Sequence, residues 1–218
     1  GNPSYDAPRM RYSFASYTRP GELHEIDPAT GEDALLKRAT VLGNFNPRDY
    51  MERRVWITAR DGERIPVSLV WHRDCPAQDS PMFITGYGAY EISSDPGFSV
   101  SRLSMLDRGV LYAVPHIRGG GEMGRAWYEQ GRRLNKKHSF EDFVDATRAL
   151  QKAQKDYDAA VARADAGRLE QEGDRIGPAK GGARLSEAYE KRQAALKAEV
   201  DAARGRLDAA RRKFSDAR

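Results

Sequence analysis

The strongest constraint on the fold of this sequence is an apolar segment at residues 109–115 that runs directly into a cluster of glycines. An uninterrupted apolar run of this length is typical of a strand buried on both faces, as in a parallel sheet. A short apolar strand is expected at 81–85, before Gly86-Tyr87-Gly88, and a helix at 99–107. A strand, a helix and a second strand, with glycines at the strand ends, predict an α/β fold.

The N-terminal part of the chain predicts short antiparallel strands. Residues 9–17 alternate between apolar and polar side chains, which is the period of a half-buried strand. Two more strands are expected at 22–27 and 33–38, separated by a turn that contains Pro and Gly. Strands of this length suit about one blade of a β-propeller. A separate hairpin is predicted around Asp61-Gly62.

A helix is predicted to begin at Ser139. The hydroxyl of this serine would cap the amide of Asp142, and the Asp142 carboxylate would reach back, in the manner of a capping box. The apolar face of the helix would be formed by Phe140, Phe143, Val144, Thr147 and Leu150.

From about residue 151 the sequence becomes rich in alanine and charge and nearly free of aromatic side chains. Glycines at 173–182 interrupt the helical period, and apolar residues then recur in steps of three, four and seven, the spacing of a coiled coil. This stripe consists of Leu185, Tyr189, Leu196, Val200, Ala203, Leu207, Ala210 and Phe214. The pattern predicts that residues 139–218 form an α-helical hairpin. The alternative is a pair of marginal helices without a fixed partner, because alanine buries little apolar area.

The basic excess of the chain lies entirely in this tail. Residues 151–218 hold 16 of the 36 Lys/Arg and 12 of the 32 Asp/Glu, so the tail carries the net charge of +4 and residues 1–150 are neutral. Basic residues interspersed with acids indicate a solvated helix face, whereas a nucleic-acid site would need them clustered on one face. Nucleic-acid binding by the tail is therefore the weaker hypothesis.

The sequence also bears on the compartment. Cys75 is the only cysteine, so an internal disulfide is excluded and nothing indicates secretion. No apolar run approaches the roughly 18 residues of a membrane-spanning helix, and a signal-peptide pattern is absent. We expect a cytoplasmic protein that does not interact with membranes, with a periplasmic location left open. Because the chain begins Gly1-Asn2-Pro3 without an initiator methionine, we also expect a fragment.

Common catalytic and cofactor motifs are missing or weak. Gly119, Gly121 and Gly124 have the spacing of a dinucleotide-binding loop, but no amphipathic helix opens directly behind them, so a close-packed turn is favoured. No Walker A or Gly-x-Ser-x-Gly sequence occurs. None of the histidines has metal-ligand spacing, and packing or surface roles are expected for His24, His72, His116 and His138. The sequence predicts no cofactor and no metal.

Tyr87 is the one candidate catalytic residue that position alone suggests. It lies between two glycines just after a strand, and in α/β hydrolases a loop of this kind supplies a donor to the oxyanion hole. A phenol hydroxyl directed at a developing oxyanion contributes roughly 3 kcal/mol in a dry site. The alternative is a tyrosine that only packs on a turn.

Five segments occur in an order and spacing that are specific to one family: 86–91, 98–103, 108–113, 116–128 and 135–143. Together they resemble the prolyl oligopeptidase family of serine peptidases. The stretch 106–109 and the N-terminal run through 17–21 look most like the oligopeptidase B branch. The resemblance covers about residues 1–150.

The resemblance implies a β-propeller joined to an α/β-hydrolase domain. Residues 1–46 would be the end of the propeller, residues 47–150 the N-terminal part of the hydrolase domain, and residues 151–218 an unrelated helical hairpin. The expected fold is thus α/β, an incomplete α/β-hydrolase fragment between a propeller remnant and a helical hairpin. By the same resemblance Tyr87 would be the oxyanion-hole tyrosine, and Asp95 would bind basic side chains of the peptide. This chain has Gly97 where a second acid is expected.

The implied activity is that of a serine-type oligopeptidase that cleaves short peptides after Arg or Lys. The Ser-Asp-His triad would lie beyond residue 150, where the tail stands instead, so we expect this chain to be inactive alone. Short basic peptides would be the partners of the intact enzyme. The alternative function is a non-catalytic interaction protein that binds a protein partner through the predicted coiled coil at 151–218.

Overall fold

The structure, a computed structural model, describes residues 4, 6–75, 80–168, 175–176 and 184–212. Within these ranges no helix combines the length and the apolar character that crossing a bilayer requires.

A three-stranded antiparallel sheet comes first in the chain. Its strands are β1 (Met10–Phe14), β2 (Glu22–Ile26) and β3 (Asp33–Arg38), in that order. Gly31 closes the turn between β2 and β3 with a φ of +75°, a conformation that glycine adopts without steric cost. The three strands lie where the sequence predicts them.

A four-stranded mixed sheet follows. Its strands are β4 (Tyr50–Thr58), β5 (Arg64–His72), β6 (Met82–Ile84) and β7 (Leu111–Pro115), in the order β4-β5-β7-β6. The predicted Asp61-Gly62 turn joins β4 to β5 as a hairpin. β7 pairs antiparallel with β5 and parallel with β6. The helix α1 (Val100–Leu106), capped by the Ser99 hydroxyl, connects the parallel pair, so the predicted strand–helix–strand unit is present.

Both faces of the four-stranded sheet are covered. Alternate side chains of each strand project to opposite faces. One face packs on α1 through Val70 and Val114, which join Leu103 and Leu106 in one buried cluster. A short helix, α2 (Arg125–Glu129), follows β7 in the chain. The other face of the sheet packs on the next helix, α3 (Lys137–Gly167). The cluster on that side contains Val55, Ile57, Val67, Leu69, Leu111, Ala113, Ala146 and Leu150.

The start of α3 differs from the prediction. The helix begins at Lys137, and Ser139 lies inside its first turn, so the predicted capping box is wrong. The Ser139 side chain is buried and donates to main-chain carbonyls of neighbouring loops, with its shortest hydrogen bond, 2.5 Å, to Arg118. The Ser139 hydroxyl therefore donates to carbonyls of other segments, whereas the predicted cap would have accepted an amide of its own helix.

The buried face of α3 is also rotated relative to the predicted one. It consists of Ser139, Asp142, Ala146, Leu150 and Ala160. Phe140 and Val144 are exposed instead, at 65% and 37%. The reason is electrostatic, because Asp142 faces inward to pair with a buried arginine. Of the predicted face, Leu150 is buried, and Phe143 is half-buried against the cluster that contains Ile117.

The tail forms a helical hairpin in its described residues. α3 runs through position 150 without a break, and α4 (Glu187–Arg212) packs against both α3 and β4. Gly167 lets the two helices approach closely, since a Cβ there would collide with Leu196. Two short strands, β8 (Arg175–Ile176) and β9 (Arg184–Leu185), pair between the helices. Phe214 and most of the predicted break at 173–182 lie outside the described residues.

Candidate active site

Tyr87 lies on the loop that follows β6, at the end of the parallel strand pair. Its side chain is 52% exposed, and within the described residues its hydroxyl makes no hydrogen bond. The next residue, Gly88, has a φ of +59° and lies so close to Ile117 that a Cβ would collide with that side chain. The loop is therefore pressed onto the glycine-rich turn while the Tyr87 hydroxyl stays available to a ligand.

Two side chains at the start of α3 hold the carbonyl of Gly88. The Lys136 ammonium donates to this oxygen and also lies 3.2 Å from the Ser139 hydroxyl. Ser139 Oγ lies within 3.4 Å of the carbonyls of Gly88, Gly131 and Arg118. Burial lowers the pKa of Lys136 from its ordinary value. The loop that carries Tyr87 is thus tied to α3 through its main chain.

A buried ion pair stabilises the glycine-rich turn on which the Tyr87 loop packs. The Arg118 guanidinium donates to both oxygens of Asp142, at 2.5 Å and 2.9 Å, and the Arg118 amide adds a third bond at 3.0 Å. Asp61 receives Nη1 of the same guanidinium at 2.7 Å. These bonds, first of all the one to Asp142, raise the pKa of Arg118, and the bond from Arg118 lowers the pKa of Asp61. The ion pair thus holds the glycine-rich turn that begins at Arg118.

A serine, a histidine and an acid meet inside the molecule. His116 Nε2 lies 2.8 Å from Ser68 Oγ, and His116 Nδ1 lies 3.3 Å from Glu122 Oε1. Arg54 Nη2 lies 3.3 Å from His116 Nε2, and because arginine can only donate, Nε2 is the acceptor and Nδ1 carries the proton. Ser68 and His116 are buried, His116 fully so, and the Glu122 side chain is 8% exposed. A substrate cannot reach Ser68, so the arrangement is a packed network and not a catalytic triad.

The Glu122 carboxylate extends this network to the loop that carries Asp95. Oε1 accepts the amide of Ser94 at 2.9 Å. Burial raises the pKa of Glu122, but the hydrogen bonds from His116 and Ser94 outweigh it and hold the pKa below its ordinary value. Asp95 itself is exposed. The structure thus places both predicted site residues, Tyr87 and Asp95, on one loop, anchored at Gly88 and at Ser94.

The loop contains an unusual backbone between those anchors. Tyr90 and Glu91 have φ values of +56° and +59°, and two consecutive non-glycine residues in this region cost roughly 1–3 kcal/mol each. Glu91 is held by its amide to the Gly119 carbonyl and by an ion pair of 2.6 Å to Arg125. Two apolar side chains of this segment, Tyr90 and Ile92, are exposed, as Tyr87 is.

The sequence predicts roles for Tyr87 and Asp95, but it does not predict the groups that hold their loop. The sequence gives only a weak signal of these groups, Lys136 and Ser139. The signal is that Ser139 and Asp142 are polar residues spaced for one helix face. The burial of that face is visible only after folding. Among the described residues no three His, Cys, Asp or Glu side chains are grouped as a metal site would require.

The comparisons with known proteins bear on the same part of the chain. Residues 96–162 match the prolyl oligopeptidase family. This match confirms the resemblance to that family that the sequence shows.

Individual relatives agree with this assignment. The dipeptidyl aminopeptidase BI of Pseudoxanthomonas mexicana is 46% identical over 174 residues, which cover 77% of this chain and 24% of that protein. Protease 2 of Moraxella lacunata is 33% identical over 148 residues, with 67% of this chain and 21% of the relative covered. The structure of oligopeptidase B from Leishmania major superimposes with a TM-score of 0.64 at 38% identity, over 69% of this chain and 21% of that one. The chain therefore spans about a quarter of the length of the curated relatives it matches.

Proposed function

We propose that residues 47–150 form the oxyanion-hole side of a serine oligopeptidase, with Tyr87 as the donor to the tetrahedral intermediate. The observation that carries this proposal is the anchored loop. The Tyr87 hydroxyl is exposed and unpaired within the described residues, while the adjacent Gly88 carbonyl is held by Lys136 and Ser139. A donor that is fixed before the reaction stabilises a developing charge without reorganisation, which is the property an oxyanion hole needs. Residues 1–46 would then be the end of a β-propeller.

The substrate class that we propose is a short peptide with Arg or Lys before the cleaved bond. Asp95 is exposed on the same loop as Tyr87, where its carboxylate is available to a guanidinium or ammonium group. Gly97 stands where the resemblance leads us to expect a second acid. A site with one carboxylate in place of two would bind the basic side chain more weakly.

A polypeptide of these 218 residues should not hydrolyse peptides alone. It contains no Gly-x-Ser-x-Gly sequence, and the serine that lies near a histidine, Ser68, is buried. Without a nucleophile and its base, an oxyanion donor has no intermediate to stabilise. Hydrolysis of a dibasic fluorogenic peptide by the pure chain, abolished by Tyr87→Phe, would contradict this part of the proposal.

Binding tests the peptide site separately from catalysis. Backbone NMR shifts of the pure chain are followed during titration with a short peptide that contains Arg, and with the same peptide that contains citrulline, its neutral analogue. We expect shifts at residues 86–97 with the Arg peptide only, and their loss in Asp95→Asn but not in the control Asp74→Asn, an exposed acid in the turn after β5. Equal shifts with both peptides would show that Asp95 does not select basic side chains.

The second candidate function is a non-catalytic interaction through the helical hairpin. The amphipathic stripe of α4 favours it, although Ala203 in this stripe is buried and Leu196 lies against Gly167 inside the hairpin. Among the described stripe residues Leu185 is exposed. The stripe therefore offers little exposed apolar surface to a protein partner. Sedimentation of the chain as a monomer at all concentrations would count against self-association through it.

A further inference from the structure

A cavity next to the three-stranded sheet is lined by cationic side chains. It has a volume of about 790 Å³, and its lining comes from residues 18–22 and from the segment that follows β3. The charged groups of the lining are Arg19, Arg38, Arg48 and Glu22. None of these residues belongs to the loop that carries Tyr87.

The buried carboxylate of Glu22 binds two of these arginines. Glu22 is 3% exposed, its Oε1 accepts Arg38 Nε at 2.7 Å, and its Oε2 accepts Arg19 Nη2 at 2.8 Å. His24 Nε2 lies 3.1 Å from the same Oε2. A single arginine is enough to neutralise a carboxylate, so this cluster holds more positive charge than the pairing of Glu22 requires.

The remaining donors are available to a ligand. A guanidinium has five N–H groups, and in the described residues Arg19 and Arg38 each use one nitrogen on Glu22, with side chains 48% and 53% exposed. The Arg48 side chain forms no hydrogen bond or ion pair within the part of the chain that the structure describes. Three guanidinium groups against one carboxylate leave the lining with a formal charge of +2.

We propose that this cavity binds a small oxyanion with at least two negative charges, a phosphate monoester or a polycarboxylate. Guanidinium groups bind such oxygens through paired N–H donors at fixed geometry, which makes arginine the preferred residue for phosphate and carboxylate recognition. Thr40 adds a hydroxyl to the lining. Glu22 positions two of the guanidinium groups, and Arg48 supplies a third. The site uses none of the residues assigned to peptide binding, so it does not depend on the peptidase function.

The test is a calorimetric titration of the full 218-residue chain with phenyl phosphate and, separately, with citrate, at near-neutral pH and about 0.15 M salt. Saturable binding of one molecule is expected. Preference for one of the two ligands identifies the kind of oxyanion. Absence of saturable binding of both would overturn the proposal.

Two variants and one control locate the site. Arg48→Ala removes a cation that has no structural partner in the described residues, and about tenfold weaker binding is expected, because a charge-assisted hydrogen bond to the ligand is lost. Thr40→Asp places a carboxylate in the lining and should abolish binding. Lys37→Ala removes the same charge from the neighbouring exposed position of β3, outside the lining, and should leave binding unchanged. Equal weakening by Arg48→Ala and Lys37→Ala would overturn the proposal in favour of nonspecific attraction.

Discussion

The Lys136 ammonium donates a hydrogen bond to the main-chain carbonyl of Gly88, and so connects the start of α3 to the residue after Tyr87. This contact spans 48 positions of the sequence. It explains how an exposed tyrosine can be held on a loop with little side-chain packing of its own.

Replacement of Lys136 should loosen the Tyr87 loop without unfolding the protein. In Lys136→Met the Gly88 carbonyl keeps only the Ser139 hydroxyl, which other carbonyls also engage. We expect the amides of residues 86–92 to exchange at least tenfold faster in hydrogen-exchange mass spectrometry, because local opening then costs less free energy. Lys137→Met, at the exposed neighbouring position, is the control. Unchanged protection in Lys136→Met would show that the glycine contacts alone hold the loop.

Asp142→Asn should be strongly destabilising. It leaves the Arg118 guanidinium buried without its main counter-charge, a change that typically costs about 3–5 kcal/mol. The adjacent exchange Glu141→Gln removes only a long, partly exposed contact to Arg60 and should change the free energy of unfolding by less than about 0.5 kcal/mol. Urea denaturation of both variants measures the difference. A similar small effect in both would mean that Asp61 alone satisfies Arg118.

Glu22 should make the stability of the three-stranded sheet depend on pH in the acidic range. Burial raises its pKa, but the hydrogen bonds from His24, Arg38 and Arg19 outweigh this and lower the pKa from 4.5 to about 2. A group with a lowered pKa stabilises the folded state above its unfolded value, so this contribution is complete above about pH 4.5 and is lost as the pH falls towards about 2.

The measurement is a comparison of the wild type with Glu22→Gln by chemical denaturation from about pH 5 down to about pH 2. The variant should be the less stable protein near pH 5, and the difference should shrink as the pH falls. Other carboxylates with lowered pKa, such as those of Asp61 and Asp145, titrate in both proteins and cancel in the comparison. A difference that stays constant with pH would contradict the assignment.

The rotated face of α3 gives a test by paired truncation. Leu150 is 4% exposed and packs in the core cluster with Leu69 and Leu111, whereas Phe140 is 65% exposed. Leu150→Ala should cost about 2–5 kcal/mol because it leaves a cavity. Phe140→Ala removes a larger side chain but should cost no more than about 0.5 kcal/mol. Thermal denaturation distinguishes this result from the sequence-based expectation, under which both truncations would be costly.

Much of the local structure was predictable because it depends on short-range rules. Period-two patterns, the Asp61-Gly62 turn and the helix expected at 99–107 each depend on residues within a few positions of one another. The order and spacing of the five segments between residues 86 and 143 likewise predicted the resemblance to the family. Tyr87 was accessible to this reasoning because it follows a strand directly and glycines flank it.

The two wrong predictions for α3, its capping box and its buried face, have one cause. A partner distant in sequence changed the role of a polar residue. Ser139 and Asp142 have the spacing of a capping box, but both side chains turn inward to satisfy Arg118, whose carbonyl and guanidinium lie more than 20 positions away in sequence. A buried charge must be paired, and this requirement outweighs a local cap. The orientation of α3 and the exposure of Phe140 follow from that pair.

The sequence by itself therefore determined the elements, their approximate bounds, the family and the candidate residues Tyr87 and Asp95. Only the tertiary structure decided which face of α3 is buried, how Lys136 holds the Tyr87 loop, and that Ser68, His116 and Glu122 form a closed network. The physical reason is that local propensities act along a few residues of the chain. The satisfaction of buried polar groups is settled between segments that meet only when the chain has folded.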